Sequence, residues 1–574
     1  MKVSDATRLR VGAPRDGAFG ALVRYRIQLR CVGLSGNVQI RVTMRHTVAV
    51  VVGRRVLAAR VPYNLSLQGR LSFHMPNQST SRGRSNQRNR LVALLVAVAS
   101  IALVAGCSTG SSPSSQVSSS DMNVKFNACT EQLCAGTLDG KFPFKIEMPT
   151  KWNGTLLLYS HEYRPNVPLP GGKLAGADPV LSPEWTVGEA KVGKNLLDVG
   201  FALAGAAAPD LGWRVDEQIQ AADALYGYFK DKVATPDRVY TWGPSTGAVA
   251  SVNLAQNRDW VNGTAPLCGN LAGLTRNYDI ALDAAFSVQQ LFYPEMKLVN
   301  YLSLAEAKDT YKEAMKRVNA AAKDQYGTGA QKLAVLGLIA VVPSKTATLP
   351  GTGIAGQAKA IAANLGIVLA RSTVDRYAVE QQLGGNPSSN VGTDYYARPT
   401  QAEIEKINKS KPGILVKYAK VISKGKRVPA DESALNAANA TPGVSGEQKV
   451  PFVSLHTEYD ADAIVQNEGA VIAAANVVGN DSRRLIQANV ISPPLFAKEG
   501  EVSVGAGHCT FTAASVAGTV VILDKWVRNG QFPTEASTTE LLGSESGYNP
   551  AYLHRKWPNG PTQGQPSPSP TATQ

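Results

Sequence analysis

A serine hydroxyl becomes a useful nucleophile when an imidazole takes its proton and a carboxylate orients that imidazole, so these three residue types open the reading. Ser245 stands in Gly243-Pro-Ser245-Thr-Gly247, between the β-rich run Val239-Tyr-Thr-Trp242 and an Ala-rich helical pattern ending near Ala255. In a strand–turn–helix of this kind both flanking positions must be small, and the hydroxyl is lifted above the sheet. A second such string, Gly106-Cys-Ser108-Thr-Gly110, lacks that context and is given no role. Downstream of Ser245 lie His456, His508 and His554. His508 sits in Val504-Gly-Ala-Gly-His508-Cys-Thr-Phe-Thr, a glycine-flanked loop before the final helical pattern, and is read as the general base. His456 ends a strand pattern and His554 lies in an irregular tail. The orienting acid is expected in the turn after Pro451-Phe-Val-Ser-Leu-His456. Asp460 is the choice there, with Asp462 and Glu458 as competitors whose other role is to cap the next helix. A developing oxyanion needs backbone donors. These are expected from the amide of Thr246 and from the loop His161-Glu162-Tyr163, with Tyr163 preferred to Glu162 and His161 read as fixing the loop.

The elements that must carry these residues alternate. Short β runs at 142–148, 154–160, 200–205, 239–242, 263–268, 451–456 and 484–490 are interleaved with helical patterns at 215–232, 465–477 and 513–528. That is the signature of a doubly wound, mostly parallel sheet, and continuous apolar runs suit strands buried on both faces. Between residues 275 and 448 helical periodicity takes over, as in Leu304–Ala322. A helical insertion between two strands, after the serine turn, suits a cap over an active site; a separate domain is the alternative. The core is thus expected at 125–274 and 449–535, the cap at 275–448, and a C-terminal extension with a disordered end at 536–574. No internal repeat is seen.

Charge excludes one class of partner. Residues 1–106 hold 17 of the 59 basic residues and two of the 44 acids, so 107–574 has 42 of each sign and no reason to bind nucleic acid. Residues 75–106 read as a secretory signal: an acid-free segment with Arg82, Arg84, Arg88 and Arg90, then the uncharged run Leu91–Gly106. At sixteen residues that run is short of the roughly 20 a membrane span needs, although an uncleaved anchor is the alternative. Leu103-Val-Ala-Gly-Cys107 resembles the bacterial lipobox, which implies cleavage before Cys107, its acylation and a membrane-anchored, extracytoplasmic location. The Ser-rich stretch 108–120 reads as a tether, so 107–124 precedes the folded part. Residues 1–74 are expected to be an over-extended, disordered start with Met75 the initiator; the alternation Val38-Gln-Ile-Arg-Val-Thr-Met44 leaves a small β element as the alternative. Cys129, Cys134, Cys268 and Cys509 suit an oxidising compartment. Three pairings are possible, and 129–134 with 268–509 is the expectation. No Cys/His spacing fits a zinc site, and neither metal nor cofactor is expected.

The Ser245 turn, the strand–Asp460 turn and the Gly-His508 loop together resemble the α/β-hydrolase superfamily over about residues 125–535. Gly384-Gly-Asn-Pro-Ser388 and Gly507-His-Cys-Thr-Phe-Thr512 resemble phrases of secreted actinobacterial members. There is also a partial likeness to the tannase and feruloyl esterase group, in which cysteines beside the catalytic serine and histidine are bridged. Pro244 precedes Ser245 here, so Cys268 would have to substitute as the partner of Cys509. Glu162 stands where such hydrolases usually have glycine. The resemblance implies a serine hydrolase working through an acyl-enzyme on a small or medium acyl substrate, with a carboxylic ester the first reading. A peptidase or amidase on the same triad is the second, and a non-catalytic surface binding lipoprotein the third.

Overall fold

The computed structural model describes residues 21–32, 39–52, 55–61, 125–129, 132–170, 185–188, 190–440, 443–479, 485–498 and 501–559. These belong to two compact units, 1–109 and 110–574. In the first, β1 (Ala21–Val32), β2 (Gln39–Val52) and β3 (Arg55–Val61) pair antiparallel in chain order. The alternation noted at 38–44 runs into β2, so strands stand within a segment expected to be disordered; alternating Val and Ile with polar residues favours extended pairing. The expected signal segment, Cys107 and the expected tether lie outside the described residues.

The second unit is built on nine strands: β4 (Lys125–Cys129), β5 (Leu133–Leu138), β6 (Phe142–Glu147), β7 (Thr155–Tyr159), β10 (Ala202–Ala206), β11 (Arg238–Pro244), β12 (Gly263–Leu267), β13 (Phe452–Thr457) and β14 (Ile486–Ile491). A separate two-stranded pair, β8 (Thr186–Val187) and β9 (Ala190–Lys191), lies between them in sequence. The sheet order is β14-β13-β12-β11-β7-β10-β6-β5-β4. From β7 and β10 through β14 the pairs are parallel, while β4, β5 and β6 are antiparallel. Sequence explains the difference. Every residue of β7, β10, β12 and β13 is buried, whereas β5 and β6 bury alternate residues. Leu156-Leu-Leu158 can tolerate that because helices cover both faces. Asp139 and Gly140, with φ of +51° and +62°, make the tight turn between β5 and β6.

One face packs against the helices Val215–Tyr228 and Thr246–Asn257, with Leu225, Val249 and Leu254 in the core. The other packs against Ala513–Asn529, where Tyr240, Trp242, Val520 and Leu523 meet. This is the doubly wound α/β-hydrolase fold. Among the described residues between β12 and β13 the chain is mainly helical and has a core of its own around Phe286, Leu333, Leu365 and Tyr418. Inside it the phrase Gly384–Ser388 wraps a fully buried cation: Arg376 Nη1 donates to Asn386 Oδ1 at 2.9 Å and Ser388 Oγ at 2.7 Å. The extension after 535 forms the helix Glu535–Leu542 and then crosses to the insertion, where Arg555 pairs with Glu403 and Arg398 Nε donates to the Asn559 carbonyl. Residues 560–574 lie outside the described set.

Candidate active site

The serine turn is held by what its neighbours lack. Ser245 follows β11 and precedes the helix Thr246–Asn257 with φ +55° and ψ −118°, a strained conformation for a residue with a side chain. A Cβ at Gly243 or Gly247 would collide with the Ser160 carbonyl oxygen. The amide of Ser245 donates to the Leu267 carbonyl at 2.9 Å, which pins the turn to the end of β12. Thr246 is the first residue of its helix, so its amide has no acceptor within that helix.

The imidazole and its acid are joined by backbone as well as side chains. His508 Nδ1 lies 2.7 Å from Asp460 Oδ2. The other oxygen of Asp460 accepts from the amides of Asp462, at 2.8 Å, and Ala463, at 2.9 Å. Tyr459 donates its amide to the Gly505 carbonyl and accepts from the Gly507 amide, both at 3.2 Å, while Thr457 Oγ1 donates to the Gly507 carbonyl at 2.6 Å. Gly505 and Gly507 have φ of +88° and +91°, which is why this loop needs glycine. The competing acids are engaged elsewhere: Asp462 takes a two-pronged pair from Arg371, at 2.6 and 2.7 Å, and Glu458 accepts from Ser492 Oγ. Cys268 and Cys509 form the expected disulfide. One ring nitrogen of His508 lies within 4.8 Å of both sulfurs, and oxidised sulfurs are not thiolate ligands for a metal. The register sets Cys129 opposite Cys134; the Cys129 side chain lies outside the described residues.

Electrostatics follow from burial and partners. Burial works against a charged His508, but the Asp460 carboxylate outweighs it, with Asp462 and Glu162 adding, and the imidazole is pushed up to about 9. Asp460 is held low: burial opposes this, and His508 and His456 overcome it. His456 is fully buried with Nδ1 3.0 Å from Glu468 Oε1 and Nε2 2.7 Å from the Ala463 carbonyl. Two acceptors require two protons, so this ring is an imidazolium. It stands 3.7 Å from Asp460. Sequence reasoning passed over Glu468, whose only signal was a charge in the first turn of an apolar helix. His161 is the opposite case. Burial lowers it to about 4, its Nδ1–H donates to the Glu162 carbonyl at 2.7 Å and Nε2 accepts from the Ala208 amide at 3.3 Å. It fixes the loop that carries Tyr163.

Above Ser245 lies a cavity of about 670 Å³ that opens to solvent, with Tyr163, Thr246, Asn270 and Asn277 among its lining residues. The Ser245 hydroxyl donates to Asn270 Oδ1 at 3.1 Å, and not to His508. A π-helical segment, Arg371–Asp375, sets Arg371 and Asp375 into the wall. Asp375 accepts from the phenols of Tyr163, at 2.7 Å, and Tyr278, at 2.6 Å, and from Arg371, at 3.1 Å. Neither Asn270 nor this cluster could be recognised in sequence, since each member is an ordinary polar residue far from the others in the chain.

No family model matches the chain, and no curated protein matches it. Among solved structures it is similar to feruloyl esterase B from Aspergillus oryzae, at 12% identity over 70% of this chain and 81% of that one, with a TM-score of 0.32. It is also similar to Candida antarctica lipase A in its closed state, at 12% identity over 74% and 89%, TM-score 0.32. A third is the rice cell wall degrading esterase LipA from Xanthomonas oryzae, at 11% identity over 64% and 79%, TM-score 0.27. Likenesses this slight add nothing to the fold, which the strand order shows by itself.

Proposed function

We propose that this chain is an extracytoplasmic serine hydrolase that cleaves carboxylic esters through an acyl-enzyme, anchored to a membrane by lipid on Cys107. What supports the reading is a strained serine turn after β11 together with a bonded Asp460–His508 couple on the loops after β13 and β14, all following parallel strands of one sheet. In this scheme the Ser245 hydroxyl leaves Asn270 and donates to the outer nitrogen of a neutral His508. The serine oxygen attacks the ester carbonyl, His508 takes its proton, and Asp460 steadies the resulting imidazolium. The amides of Thr246 and Tyr163 receive the oxyanion. His508 then protonates the departing alkoxide, and a water repeats the sequence to release the acid. Nothing in this scheme calls for a cofactor. The Cys268–Cys509 bridge supports an oxidising compartment.

The ester reading is favoured over the peptidase because the acids in the pocket wall are already occupied. Both oxygens of Asp462 and both of Asp375 accept from Arg371, Tyr163 or Tyr278, so the Arg371 cation already stands where a substrate amine would have to compete. Fluorophosphonate labelling of residues 121–574, with Ser245→Ala as control, tests the nucleophile. Labelling together with turnover of p-nitrophenyl esters supports the reading, anilide turnover replaces it with the amidase, and absence of labelling removes it.

A further inference from the structure

Val341 has φ +58°, a region that a β-branched side chain seldom enters. It follows the helix Thr328–Ile339 and its C-cap Ala340, and the Val342 amide returns to the Gly337 carbonyl at 3.0 Å. That bond closes a Schellman ending, and Val341 takes the position where glycine is usual. A strained valine where glycine would be relaxed points to a use for the side chain.

The use is visible in what it touches. Val341, Val342 and Ile464 line the cavity above Ser245 and also line a second cleft of about 1120 Å³. They form the wall the two spaces share. On the Ser245 side the cavity lining also includes the apolar side chains of Ile280 and Val368. Beyond the wall Leu338, Ile354 and Ile407 continue the apolar surface, and the Glu403–Arg555 pair borders it.

We propose that the Val341–Val342–Ile464 wall ends the acyl side of the pocket and sets the chain length accepted, so that the substrates are esters of short to medium aliphatic acids. This rests on the Ser245 reading. Each methylene buried before the wall raises kcat/KM by about fourfold, and the gain stops where the chain meets it. Cutting the wall back joins the cleft to the pocket.

The test is the acyl-length profile of p-nitrophenyl esters from acetate to laurate, in wild type, Val341→Gly and Ile464→Ala. Glycine suits the backbone at 341, so that variant does not depend on tolerance of strain. In both variants the preferred acyl chain should lengthen, and the decanoate-to-butyrate ratio of kcat/KM should rise by about tenfold or more, the worth of two further methylenes. Ratios unchanged in both, with Ser245 still labelled by a fluorophosphonate, overturn the wall and leave the hydrolase reading intact. A shift confined to a series of alkyl butyrates overturns the acyl assignment. Absence of labelling in wild type overturns both readings together.

Discussion

His508, the proposed general base, sits among several carboxylates. Asp460 binds it, Asp462 and Glu162 lie near, and the ring is pushed from 6.5 to about 9. A base works only when neutral, so kcat/KM for an ester should climb with pH through about 9 and not level off near 7. Asp462 is ionised across that range, because Arg371 overcomes its burial and holds it at about 2. Asp462→Asn removes one charge that favours the imidazolium, and the rising limb of the pH–rate profile should move to lower pH. Asp460→Asn acts differently, since it forfeits both the tautomer and the charge. It should lower kcat by about 10⁴ with far less effect on KM. At this scale the sequence pointed to Asp460 and His508 through a turn and a glycine-flanked loop, and these two are hydrogen-bonded. It could not point to Asn270, Arg371 or Asp375, whose meaning depends on three-dimensional neighbours alone.

Elements, by contrast, announce themselves when burial is extreme. The parallel strands were legible because both of their faces are covered, which writes unbroken apolar runs such as Leu156–Leu158. The pair β4–β5 was not, since both segments carry few large apolar residues and β5 buries only one face; the Asp139-Gly140 turn was the available clue. The helix expected over 215–232 ends as an α-helix at Tyr228 and finishes as a π segment, Phe229–Val233. Two element-level changes have clear outcomes. Gly247→Ala drives a methyl group into the Ser160 and His161 carbonyls, so calorimetry should show a loss of about 2 kcal/mol or more. The bridge between Cys268 and Cys509 spans 241 residues, and the double change to serine should cost about 2–5 kcal/mol in urea unfolding.

For the molecule as a whole, buried charge sets the pH range of stability. His508 and His456 are raised from 6.5 to about 9 and about 10, in each case because carboxylates outweigh burial. Their contribution is complete below 6.5 and is lost as pH rises through those higher values. Asp462 works in the other direction: lowered from 3.8 to about 2, it stabilises above 3.8 and ceases to do so as pH falls through about 2. The melting temperature should therefore decline steadily between about pH 6.5 and 10, and His456→Gln should flatten that decline. The α/β architecture was readable at this scale from the alternation of runs, and the insertion from the change of period after residue 275. The path of the C-terminal extension onto the insertion was not, because Arg398 and Asn559 meet only in space.

The insertion between β12 and β13 also imposes an order in time. A chain that emerges amino end first delivers Ser245, then the whole helical insertion, and only afterwards the strand and loop that bring Asp460 and His508. The sheet cannot be completed until those late strands dock across a long sequence gap, a slow class of folding event. On the proposed mechanism the serine thus waits, unactivated, until nearly all of the polypeptide has arrived, and a hydrolase arranged in this way is silent while it is still being made.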